Sequence, residues 1–110
     1  MITNVTNVRL ENLVIRGGNA NVAPNDSGGG IYISSVSYLV IESSVVISNN
    51  SAIDGGGLYL NISDYFTNTG WITNNTTGTI YGGGGVYRIG SYANSYFGNV
   101  SGNTPNDIAP

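Results

Sequence analysis

Along this chain the apolar residues fall into short i, i+2 pairs separated by turn chemistry: Ile31 and Ile33, then Leu39 and Ile41, then Val45 and Ile47 before Asn49–Asn50. Residues i and i+2 of an extended strand share a face. The pattern therefore predicts three short strands with these side chains turned inward and Tyr32, Val40 and Val46 turned out. The next stretch repeats the order with Leu58 and Leu60, then Phe66, then Ile72 before Asn74–Asn75. Upstream, Leu10 and the Leu13/Ile15 pair lead to Gly17–Gly18; downstream, Val100 leads to Gly102–Asn103. No run of ten residues has 3.6-residue spacing without Gly, Asn or Thr clusters, which excludes helix.

Glycine marks the unit. DSGGGIYI (Asp26–Ile33), SAIDGGGLYL (Ser51–Leu60) and YGGGGVYRI (Tyr81–Ile89) recur with 27 residues from Gly30 to Gly57 and 28 from Gly57 to Gly85. A fixed period in this range signals a solenoid, propeller or array. A propeller blade would need about four antiparallel strands in roughly 40–45 residues, and a sandwich would not repeat its inward positions at a constant interval. The expected fold is thus an all-β parallel β-helix (β-solenoid) of three short strands per coil, each strand stacked on its equivalent about 4.8 Å away. One domain, residues 1–110, would hold about three and a half coils, with repeats near 5–33, 34–60 and 61–89 and a partial one at 90–110.

The expected inward ladders are Ile31–Leu58–Val86, Ile33–Leu60, Ile41–Phe66 and Ile15–Ile47–Ile72–Val100. Arg88 falls in the second of these, and a bulge turning Ile89 inward would remove it from the core. Glycine supplies positive φ and close backbone approach at a tight corner. The glycine runs do not make a phosphate loop, because no Gly-Lys-Ser/Thr follows and no helix N-terminus is available. The calcium-binding GGxGxD nonapeptide is missing as well. Asn50, Asn75 and Asn103 each follow an inward apolar residue by three positions and should stack as a hydrogen-bonded amide ladder in a turn where Asn tolerates left-handed backbone.

Only 8% of the residues are charged, and Gly, Asn, Ser and Thr make up roughly half the chain. Eight Tyr, two Phe, one Trp and the Val/Ile pairs nevertheless favour ordered β-structure over disorder. The net charge of −3 and three scattered arginines, Arg9, Arg16 and Arg88, give no basic stripe for nucleic acid or anionic membrane. With neither cysteine nor histidine, thiol chemistry, disulfides and the usual zinc and general-base sites are excluded, and no cofactor is called for. No stretch approaches the roughly 20 apolar residues of a membrane span, and Met1 starts directly on repeat-like sequence. The chain reads as a piece of a longer protein, or a mature segment whose export signal lies outside it.

The segment Ile47-Ser-Asn-Asn50-Ser-Ala52-Ile-Asp-Gly55-Gly-Gly-Leu-Tyr59 resembles the repeat of polymorphic outer-membrane proteins. That pattern is a hydrophobic residue, two variable positions and Asn, followed by a GGA-hydrophobic strand. Gly57 stands in place of the usual Ala, and Ile47, Ile72 and Val100 stand where the family favours Phe. The chain is equally similar to the wider right-handed parallel β-helix group that includes pectate-lyase-like proteins. The resemblance runs roughly from Leu10 to Ala109 and includes the closing Asn103-Thr-Pro-Asn106-Asp-Ile108. It implies a right-handed coil and an extracellular or cell-surface stalk or adhesin segment.

An enzyme on this scaffold would need clustered acids, with calcium and a base in lyases or paired carboxylates in hydrolases. The acids are Glu11, Asp26, Glu42, Asp54, Asp64 and Asp107. Asp26 and Asp54 precede glycine runs one coil apart and are the candidates for a carboxylate pair or a metal, although Asp before Gly is also turn chemistry. Glu11 and Glu42 should stack outward with Arg9 between them. Sequons begin at Asn4, Asn25, Asn49, Asn61, Asn74, Asn75 and Asn99. An ice-binding solenoid would need a regular two-wide Thr row, whereas the column Arg16, Ser48, Thr73, Ser101 is one residue wide.

The outward feature common to every glycine-run strand is Tyr32, Tyr59 and Tyr87. A column of these rings would stiffen the sheet or serve as a binding face for glycans or for host and partner surface proteins. The expectation is a non-enzymatic segment of a secreted or cell-surface protein, adhesin-like or a structural spacer. The alternatives are a carbohydrate-active β-helix fragment or carbohydrate-binding module and, more remotely, an ice-binding solenoid. So short an array exposes strand edges at both end coils, and self-association through them is expected.

Overall fold

The computed structural model describes residues 1–24, 26–90 and 94–110, with the side chains of all of these except 62–64. The first coil contributes β1 (Ile2–Leu10), β2 (Val14–Arg16) and β3 (Asn19–Ala20), and the second β4 (Ile31–Ile41), β5 (Val46–Ser48) and β6 (Ser51–Ala52). The third contributes β7 (Leu58–Asn68), β8 (Trp71–Thr73) and β9 (Thr76–Thr77). The closing segment adds β10 (Val86–Gly90), β11 (Asn94–Tyr96), β12 (Asn99–Ser101) and β13 (Ile108–Ala109). All pairings between these strands are parallel. The long sheet runs β1-β4-β7-β10-β13 with β11 also on β7, the middle sheet β12-β8-β5-β2 and the short sheet β3-β6-β9. The chain is an all-β parallel solenoid of about three turns, measuring 30 × 26 × 21 Å.

Three strands per coil is correct, but they are cut differently from the expectation. The Ile31/Ile33 and Leu39/Ile41 groups belong to one 11-residue strand, β4, and the third strand is the Ser51–Ala52 stretch. A residue in left-handed backbone explains the merger. Asn4 (φ 56°) and Ser35 (φ 57°) fall between paired positions in β1 and β4, so the strand bends there while its ladder continues. Bulges between Ser34 and Tyr38 in the β4–β7 pairing cancel, leaving both strands the same length.

The core is built as the alternation predicts. Ile31, Ile33, Leu39, Ile41, Val45, Ile47, Leu58, Leu60, Phe66, Ile72 and Val86 are buried together, and Val36 joins them after the bend. The Ile15–Ile47–Ile72–Val100, Ile31–Leu58–Val86 and Ile33–Leu60 ladders are all in register. Two expectations are corrected. Phe66 pairs with Leu39, and Ile41 pairs with Asn68. Asn68 is fully buried because its amide is satisfied: Nδ2 donates to Phe97 O at 2.8 Å and Oδ1 accepts from Gly70 N at 3.1 Å.

The second correction is at Arg88. No bulge intervenes; Arg88 stays opposite Leu60, and Ile89 opposite Asn61. The pairing of β13 with β10 covers Val86 and Tyr87 and stops before Arg88, which leaves room for the guanidinium. It sits over the Phe97 ring at 5.2 Å from the centroid, and Nε donates to Pro110 O at 3.1 Å.

The corners follow the same division of labour in each coil. Asn49 and Asn74 take a positive φ of 55°, and Gly17 and Gly102 at the equivalent places take 74° and 68°, so the left-handed residue is the one before each ladder asparagine and not the ladder asparagine itself. Asn50 and Asn75 are thereby free to point inward. In the glycine run, Gly55 has φ 65°, and a Cβ on Gly57 would lie 2.7 Å from Gly85 O and 2.8 Å from Asn75 Nδ2. The third glycine is thus the surface on which the amide ladder packs.

Candidate functional site

The long sheet is the broadest surface of the coil, and its outward face collects the aromatic residues. Tyr32, Tyr59 and Tyr87 stand in register on β4, β7 and β10. Tyr32 and Tyr59 are stacked with centroids 4.7 Å apart and planes 4° apart; Tyr59 and Tyr87 are 5.6 Å apart at 18°. The column predicted from sequence is therefore present. It is half-buried rather than openly exposed, and its facing ring faces are applied to one another. What it offers outward is a row of edges and hydroxyls.

Tyr38 and Tyr65 form a second column that the sequence reading missed, flanked in register by Asn7 and Asn94. Their centroids are 5.8 Å apart and their planes tilted by 34°, with exposures of 44% and 36%. These rings are splayed, so part of each face remains open. The outermost column is Arg9, Val40, Thr67 and Tyr96. Arg9 is held by Glu42 at 3.2 Å and Glu11 at 3.6 Å, as the sequence suggested. Six of the seven described tyrosines, Tyr32, Tyr38, Tyr59, Tyr65, Tyr87 and Tyr96, lie on this face. A signal for the second column existed: Tyr38 and Tyr65 each lie eight residues beyond the last glycine of their run. Counting does not find Tyr96, because the register slips by one residue between Gly90↔Ile62 and Asn94↔Tyr65.

At one end of the first column, Met1, Pro24, Asp26, Ser27, Tyr32 and Tyr59 line a depression of about 210 Å³. Asp26 and Asp54 are brought together here, as expected. Ile53 N and Asp54 N both donate to Asp26 O, and Ser27 bridges to Asp54. Burial pushes the Asp54 carboxyl above its ordinary value, and the neighbouring Asp26 charge adds to the rise. Among the described residues no group of three or more His, Cys, Asp or Glu comes together. Among the described side chains, a metal at this pair would have two carboxylates. The side chain of Asp64 lies outside the described residues.

Asn50, Asn75 and Asn103 form the expected ladder. Oδ1 of Asn75 accepts from Asn50 N and Nδ2, both at 3.0 Å, and Oδ1 of Asn103 accepts from Asn75 N at 2.9 Å and Nδ2 at 3.0 Å. Each Nδ2 also donates to a carbonyl of the coil before, Ile15 O, Ile47 O or Ile72 O. Of the sequons, Asn75 is fully buried and closed to a glycosyltransferase, and Asn25 lies outside the described residues. The column Arg16, Ser48, Thr73, Ser101 is in register on the middle sheet, but Ser48 is buried, so it is no continuous hydroxyl row. Comparison with known protein families, curated proteins and solved structures finds no match for this chain.

Proposed function

We propose that this chain is a non-enzymatic β-solenoid segment of a secreted or cell-surface protein, serving as a spacer whose long-sheet face is adhesive. The observation that carries this reading is the gathering of six of the seven described tyrosines on the outward face of one sheet, in columns separated by Asn, Ser and Thr. Tyrosine supplies rigid amphipathic contact area at little entropic cost, and small polar residues supply adaptable hydrogen bonding. The remaining repeated columns are spent on mechanical continuity: amides hydrogen-bonded from coil to coil and glycines packed without room for a side chain. Binding of the purified chain to glycan arrays and cell surfaces tests the reading, against a variant with Tyr32, Tyr59 and Tyr87 all replaced by Thr. Loss of binding with unaltered unfolding marks the first column as part of the adhesive face. Turnover of a polysaccharide by the wild type would overturn the non-enzymatic reading.

One observation favours a second reading, a carbohydrate-active or carbohydrate-binding site. The Asp26–Asp54 pair, with one carboxyl pushed up, adjoins a depression lined by two tyrosines. A carboxyl with a raised pKa beside a second carboxyl is an arrangement that acid–base cleavage of a glycosidic bond uses. Release of reducing ends from a polysaccharide, abolished in Asp54→Asn, is the result this reading requires.

A further inference from the structure

We infer that the Tyr38–Tyr65 pair is the stacking platform of the long-sheet face and that its ligand is an uncharged polysaccharide chain. This rests on the adhesive reading above and assigns its partner. The argument begins with ring geometry. In the Tyr32–Tyr59–Tyr87 column the facing ring faces are consumed by near-parallel stacking, so between its two ends a ligand meets edges. Tyr38 and Tyr65 diverge by 34° and are 44% and 36% exposed, so their faces are open to solvent. An aromatic face carries negative charge density and attracts weakly positive C–H groups. The flat C–H side of a sugar ring is such a surface.

The surroundings select the ligand by charge. Asn7 and Asn94 continue the column on either side of the rings, both exposed, and offer amide donors and acceptors. Thr67 and the 59%-exposed Tyr96 add hydroxyls in the adjacent column. Among the described side chains the cation nearby is Arg9, and it is paired with Glu42 and Glu11. Among the described side chains the platform thus combines neutral hydrogen-bonding groups with open rings, and its one cation, Arg9, is already paired and not free to hold a uronate or sulfate. An anionic polymer would gain no ion pair here, and the chain's net charge of −3 would repel it. An uncharged polymer of hydroxyls and C–H faces matches the platform group for group.

The experiment is native affinity electrophoresis of the whole chain in gels containing hydroxyethyl cellulose, galactomannan or dextran, with polygalacturonate and heparin as charged comparators. The expected result is retardation by an uncharged polymer that persists when NaCl is raised to about 0.5 M. Binding should weaken about tenfold or more in the Tyr38→Thr/Tyr65→Thr double variant. It should weaken equally in Tyr38→Leu/Tyr65→Leu, which keeps apolar bulk without a ring, and be unchanged in Trp71→Thr on the middle sheet. Cooperative urea unfolding of each variant shows that it folds. Retardation by none of the uncharged polymers, retardation by the charged ones alone, or full binding by the leucine variant overturns the proposal. If the wild type holds to cell surfaces or proteins but to no uncharged glycan, this inference fails while the adhesive reading stands. If it holds to none of them, both fail.

Discussion

The carboxylate of Asp107 stands to Asn103 as Asn103 stands to Asn75: its Oδ1 accepts from the backbone N–H at 2.9 Å and from Nδ2 at 3.0 Å. The amide ladder therefore ends on an acceptor that needs no further partner below it. At the other end the ladder closes on Gly18, whose N–H donates to Asn50 Oδ1 at 2.9 Å. Asp107→Ala leaves two donors of Asn103 without this acceptor and is expected to cost about 1–3 kcal/mol. Asp107→Asn retains an acceptor and should lose less than half of that. Urea unfolding of the two variants checks the order, and equal losses would contradict the role of Oδ1.

Asn75→Ala removes the rung that joins both neighbours, and Asn75 is fully buried. Asn50 N loses its acceptor and Ile47 O loses one of its donors, and the expected cost is about 2–5 kcal/mol. In so short a solenoid that is enough to unfold much of the population at room temperature, seen as loss of the β-sheet signal in circular dichroism. Retention of a cooperative transition at the wild-type midpoint would refute the ladder's contribution.

Glycine positions separate cleanly by space. Gly57→Ala forces a Cβ against Gly85 O and the Asn75 amide and is expected to destabilise by about 2 kcal/mol or more. Gly78 has nothing within 4 Å of a built Cβ. Gly78→Ala should be neutral or stabilising by about 0.4–1 kcal/mol through the unfolded chain. Thermal unfolding of the pair distinguishes packing from a general intolerance of glycine replacement.

Leu58 and Tyr59 test which face is which. Leu58 is fully buried between Ile31 and Val86, and Leu58→Ala should cost about 2–5 kcal/mol. Tyr59 stacks on two rings, each contact contributing about 0.5–1.5 kcal/mol beyond area burial. Tyr59→Thr is expected to fall below Leu58→Ala, though not at zero. A larger loss at Tyr59 would reverse the assigned faces.

Stability should depend on pH at the Asp26–Asp54 pair. Because the folded state raises the Asp54 pKa above 3.8, it binds the proton more tightly than the unfolded chain does. The contribution of Asp54 is then favourable at low pH and is lost as pH rises through the raised value. Asp54→Asn is expected to raise the unfolding midpoint at pH 7 and to flatten this part of the profile. A lower midpoint at pH 7, with the acid-side slope unchanged, would count against the pair.

Period, inward positions, glycine corners, asparagine ladder and tyrosine column were legible in the sequence because each follows from a local rule repeated at a constant interval. Alternation assigns a face, turn chemistry assigns a corner, and stacking of like units places equals over equals. What the sequence left open depended on contacts between coils. Whether Ile33 and Leu39 belong to one strand was decided by the left-handed bend at Ser35, which a reading of short apolar groups takes for a break. The pairing of Phe66 with Leu39 was decided by bulges that cancel, and Asn68 could enter the core once Phe97 O and Gly70 N lay within reach. Arg88 kept its inward register because its guanidinium reaches the Phe97 ring and Pro110 O. Ring tilt likewise belongs to tertiary packing: Tyr32 and Tyr59 close on each other while Tyr38 and Tyr65 splay, although the sequence places both pairs one coil apart.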